Sequence, residues 1–200
     1  MPARVDLVVL RAAEYAATRS PRVLGTTPAR YLTLDGEGKF GGPEFEERAA
    51  EIHRLLQQLR ERAIREQGKD FRPTPQEALA GPPCSSNRSG GGAPLAPWKL
   101  LRRIPAFVRT GDLTALWEEA PAGAGLPPAR IEELREGRCI QSVHVGPIDG
   151  VTQVADRLRR AAADLDLVPH GRLHCAWLSD PGRTPRERGR ILVRVPVKAR

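Results

Sequence analysis

The chain has 200 residues, 40% apolar and 28% charged, enough to bury a core without disulfide or metal staples. Its net charge of +8 and pI of about 10.2 raise the question of a nucleic-acid partner, but the arginines are scattered among acids and no helix-turn-helix, aromatic-basic platform or zinc-finger spacing accompanies them. Cys84, Cys139 and Cys175 are odd in number and widely spaced, which excludes a disulfide framework; with no apolar run near membrane-span length and no opening signal segment, a cytoplasmic, reduced protein with no membrane partner is expected.

Residues 1–20 carry only a weak helical or irregular pattern. Residues 22–26 are compatible with a short strand, and ARYLTL (29–34) alternates before Asp35-Gly36-Glu37-Gly38, a strand running into a turn. From Pro43 to Gln67, apolar residues recur at helical spacing, with Phe45, Ile52, Leu55, Leu56, Leu59 and Ala63 on one stripe. Pro43 suits a first helical turn, glutamates crowd the positive end, and Gly68 ends the helix. Pro73 and Pro75 favour extended chain up to Leu79. Residues 80–97 are a Gly/Pro/Ser loop, read as flexible. A strand is expected over 98–108, a short helix over 111–120 and a linker over 121–128.

The second half repeats the plan. Strands are expected at 129–134 and 139–145, then a break at Gly146-Pro147. An amphipathic helix over 148–167 stops at Pro169 and Gly171, and strands follow at 172–178 and 191–197. The fold class expected is α+β: duplicated strand-helix-strand-strand units with pseudo-twofold symmetry, antiparallel sheets and a central ligand cleft. The whole of 1–200 is read as one domain, with half-repeats over 20–108 and 129–198.

Several segments carry a resemblance. PARYLTLDGEG (28–38), PEFEE (43–47), RIPAFV (103–108), EELREGRCIQSVHVGP (132–147), LSDPGRTP (178–185) and RVPV (194–197) occur in the order seen in the GyrI-like small-molecule-binding family. The resemblance implies a cleft that takes bulky, aromatic or cationic compounds. It includes a subset of hydrolases that open the cyclopropane of DNA-alkylating natural products. The first twenty residues are too few for the DNA-binding helices of the regulators in the family, so a stand-alone binder is expected and direct DNA binding is not.

The same resemblance puts an acid where this chain has Cys175, a tyrosine where it has Trp177, and aromatics where it has Ala80 and Gly81. The aromatic cage is therefore depleted, and binding for sequestration or self-protection is favoured over hydrolysis. The expected ligand contacts are Tyr31, Trp98, Gln141, Cys175 and Trp177, with Glu77 as the catalytic residue if turnover occurs. Cys175 also suggests single-use capture of an electrophile. On β alternation Cys175 and Trp177 share one strand face, and His174 and Ala176 the other. That separates His174 from Cys175 as metal ligands, so neither a metal nor another cofactor is expected. Inhibition of DNA gyrase is a further reading that no motif demands.

Overall fold

The computed structural model describes residues 4–81, 97–120 and 127–200; most of the 80–97 loop and of the 121–128 linker, and Cys84, lie outside them. A two-residue strand, β1 (Arg4–Val5), leads into two single-turn helices, α1 (Leu7–Leu10) and α2 (Ala12–Tyr15). Asp6 caps α1 by accepting from the amides of Val8 and Val9. Then follow β2 (Arg22–Gly25) and β3 (Ala29–Gly36). The long helix α3 spans Pro43–Gln67, as the periodicity predicts. It closes at Gly68, whose left-handed backbone (φ 62°) lets the Lys69 amide turn back to the Ala63 carbonyl.

The first half continues through β4 (Asp70–Phe71), β5 (Glu77–Ala80), β6 (Trp98–Arg103) and α4 (Thr110–Glu119). The sixth strand ends five residues before the predicted boundary. Pro105 has no amide to continue the ladder, and the Val108 amide closes a turn onto its carbonyl. The second half holds β7 (Arg130–Leu134), β8 (Arg138–Val145), α5 (Val151–Ala163), β9 (Leu167–Pro169), β10 (Leu173–Trp177) and β11 (Arg190–Ala199). The predicted 148–167 helix is shorter at both ends. A 3-10 turn occupies Ile148–Gly150, and the chain leaves the helix after Ala163 through Asp166, at φ 54°.

The strands form a sheet in the order β2-β8-β11-β10-β5-β6-β3-β7, with β9 against the far end of β11; every pair in it is antiparallel. The order β8-β11-β10 mirrors β3-β6-β5. An approximate dyad therefore passes between β5 and β10, whose register pairs His174 with Leu79 and Ala176 with Glu77. Both long helices cover one face, burying Ile52, Leu55, Leu56, Val151, Ala155 and Leu158 against Leu32, Leu100, Ile140 and Val193. The opposite face carries the alternate residues, among them Tyr31, Leu79 and Leu101. There α2 lays Tyr15 against Ala176 and Leu192, flanked by Val8 and Ala17. No helix of the described residues is long and apolar enough to cross a membrane.

Gly36 is fixed by what lies over it. A Cβ there would meet three atoms of the Trp98 indole at 2.0–2.5 Å, and that ring, 1% exposed, has nowhere to go. Gly36→Ala is expected to cost about 1–3 kcal/mol in urea unfolding; an unchanged midpoint would mean that the indole yields.

Candidate functional site

The six residues singled out in the sequence divide between the two faces of the sheet. Trp98, Cys175 and Trp177 stand on the helix side; Tyr31, Glu77 and Gln141 stand on the other.

On the helix side the centre of the sheet is floored by small residues, since Cys175 of β10 pairs with Ala78 of β5 at the dyad. Over this floor lies an aromatic cluster. Phe45, near the start of α3, packs 5.0 Å from Trp98 and 5.5 Å from Trp177; Phe40 lies 4.9 Å from Phe45 and 6.0 Å from Trp177. Trp177 is half-buried and the others are buried. The two halves meet beside the cluster, where Gly41 (φ 73°) comes so close to Ile148 that a Cβ would sit 2.7 Å from it. The Trp98 indole Nε1 is buried and has no acceptor among the described residues. Burial pushes the Cys175 thiol up to about 12, so it is protonated and a poor nucleophile at neutral pH.

At one end of the cluster, Arg102 of β6, Gln76 and Trp177 form a row across three strands. The Trp177 amide donates to the Gln76 carbonyl at 2.8 Å, and Arg102 Nη1 reaches Gln76 Oε1 at 3.5 Å. The other guanidinium nitrogen, Nη2, donates to His53 Nδ1 at 3.2 Å. Arg102 Nε is buried without a partner among the described residues.

The opposite face holds a buried charge network. Glu77, 1% exposed, accepts from the Tyr15 hydroxyl at 2.6 Å, the Tyr31 hydroxyl at 3.4 Å and His174 Nε2 at 2.9 Å. His174 Nδ1 donates to Glu136 at 2.9 Å, so the ring lies between two carboxylates and carries both protons. Burial alone would lower its pKa; the carboxylates of Glu136 and Glu77 outweigh that and raise it to about 9. Glu136 also accepts from Arg194 at 3.2 Å. Burial would raise the Glu136 carboxyl, yet His174 and Arg194 hold it down at about 2.

The network extends under α2. Arg194 donates to Gln141 Oε1 at 3.0 Å and to the Glu14 carbonyl at 2.8 Å, and the Gln141 amide holds the carbonyls of Glu14 and Ala16. Arg103 binds the Glu14 carboxylate at 2.9 Å, with its guanidinium 5.8 and 5.7 Å from the Tyr15 and Tyr31 ring centres. With His174 protonated, three carboxylates face three cations. Tyr31 also borders a cleft of about 200 Å³, lined with Thr33, Leu79, Lys99, Leu101 and Arg172.

Sequence reasoning did not find Glu14, Tyr15, Arg103, Glu136 and Arg194, nor a partner for His174. The strand parity of RLHCAWL already turned His174 away from the helices; what it met there is set by residues 38 and 97 positions distant.

No family model matches the chain, and no curated protein matches it in sequence. Solved structures do match. An uncharacterized conserved protein from Listeria innocua superposes with a TM-score of 0.79 at 20% identity, over 98% of this chain and 100% of that one. A protein from the same organism described as a hydrolase gives 0.76 at 22% identity, with the same coverage. The C-terminal domain of EcmrR gives 0.55 at 8% identity, over 90% of this chain and 98% of that one. The likeness is one of fold.

Proposed function

We propose that the chain is a GyrI-like domain that binds a planar, largely apolar aromatic molecule on the helix side of the sheet, at the dyad, for sequestration. The observation that carries this reading is the cluster of Phe40, Phe45, Trp98 and Trp177 over a floor of Ala78 and Cys175. Four aromatic rings gather there over small side chains, and the buried Trp98 indole N–H has no acceptor among the described residues. Hydrolysis is not proposed. Glu77, the carboxylate that such a reading uses, faces the opposite side of the sheet and is engaged by Tyr15, Tyr31 and His174.

Calorimetric titration with a panel of two-ring aromatic alcohols tests this. One saturable site is expected, and Trp177→Ala should weaken it about tenfold, the worth of one lost stacking partner. Trp117→Phe, on α4 and 38% exposed, should bind like the parent. Failure of the whole panel to bind, or equal affinity after Trp177→Ala, would overturn the reading.

A further inference from the structure

A guanidinium taken out of water is costly unless a counter-charge accompanies it. The other two buried arginines of the sheet obey this rule: Arg103 has Glu14 and Arg194 has Glu136. Arg102 does not. It is 7% exposed, its hydrogen-bond partners are the neutral Gln76 oxygen and the His53 ring, and its Nε has none among the described residues. The carboxylate whose field reaches it is Glu77, on the far side of the sheet and already bound to three donors.

His53 has adapted to this neighbour. Arg102 is donor-only, so His53 presents Nδ1 as an acceptor and is neutral. Burial first, and the guanidinium second, lower its pKa. Asp180, the acid whose field reaches His53, is spent on Arg183 and on the Gly182 amide. Burial pulls the Arg102 pKa down to about 10, which leaves it charged at neutral pH. Its guanidinium lies beneath exposed His53, one strand from Gln76 and two from Trp177, about 10 Å across the sheet.

We infer that the aromatic site described above, on whose existence this inference rests, selects molecules bearing an anionic group, a carboxylate or phenolate, which Arg102 receives beside the ring held by Trp177. The acid supplies the acceptor that Arg102 Nε lacks among the described residues. Among the described residues, no carboxylate faces the aromatic cluster from the strands beneath it, where Ala78 and Cys175 form the floor.

Three naphthalene probes that differ only in one small substituent separate the possibilities by calorimetry: 2-naphthoate, 2-naphthalenemethanol and 2-naphthylmethylammonium. We expect 2-naphthoate to bind at least about tenfold tighter than the alcohol, the worth of one charge-assisted pair, and the ammonium to bind weakest. Arg102→Met should erase the difference between the acid and the alcohol. Arg102→Lys, which keeps the charge without the fork, should retain part of it. Ammonium affinity equal to or above that of 2-naphthoate would overturn the inference and leave the binding site standing. Persistence of the acid preference in Arg102→Met would also overturn it. If none of the three binds, the site and the inference fall together. The comparison on the parent protein decides even if Arg102→Met does not fold.

Discussion

Replacing His174 by alanine should remove on the order of 3–5 kcal/mol of folding stability, because it leaves the Glu77 and Glu136 carboxylates facing each other in a dry interior with their shared cation gone. The same residue fixes the pH profile. Folded His174 holds its proton up to about pH 9, against its usual 6.5. Its contribution is therefore complete below pH 6.5 and is lost as the pH rises through 9. Glu136 runs the other way: held at about 2 against its usual 4.5, it contributes fully above 4.5 and fails as the pH falls toward 2. Both contributions are complete between about pH 4.5 and 6.5. Urea unfolding of the parent should show about 3 kcal/mol less stability at pH 9.5 than at pH 6 on this account, and His174→Ala should lose most of that dependence. An equal alkaline loss in both proteins would show that another group titrates.

Glu14→Ala is expected to release the N-terminal cover. One oxygen of Glu14 accepts from the Thr27 amide and hydroxyl, and the other from Arg103. Truncation leaves Arg103 buried against two tyrosine rings without a carboxylate partner, at a cost of about 3 kcal/mol. The loss should fall first on the segment that Glu14 anchors, since Tyr15 is the main apolar contact of α2 with the sheet. Trypsin cleavage at Arg11 and Arg19 should accelerate by at least about tenfold under native conditions, the factor expected from a local loss exceeding 1.4 kcal/mol. Unchanged cleavage would mean that the Gln141 and Arg194 bonds to the backbone of α2 suffice to hold it. Glu14→Gln, which keeps the Thr27 bonds, should lie between.

The parts of the fold that were legible in the sequence are those written in local periodicity. The stripe from Phe45 to Ala63 and the glycine at 68 define α3 to the residue, and the strands expected at 139–145 and 191–197 are found over Arg138–Val145 and Arg190–Ala199, paired along seven positions. The polar interior was not legible. Glu14 and Tyr15 sit in a segment with almost no periodic signal, because two single-turn helices are too short to display one. Glu77 is offered by the sequence as a catalytic acid, since nothing in its own strand reveals that a histidine 97 residues later lies on the neighbouring strand. Arg102 and Arg103 are adjacent and alike in sequence, yet strand parity sends them to opposite faces, one with a counter-ion and one without.

The seam between β5 and β10 has a consequence for the independence of the two halves. The first half brings two of the buried carboxylates, Glu14 and Glu77, and one guanidinium, Arg103. The second brings one carboxylate, Glu136, with Arg194 and protonated His174. Within this network each half on its own carries one charge it cannot cancel, of opposite sign to the other, and the His174–Glu77 bond joins the two. A fold whose topology reads as a duplication has in this way made its two copies unequal and mutually dependent: each serves as the counter-ion of the other.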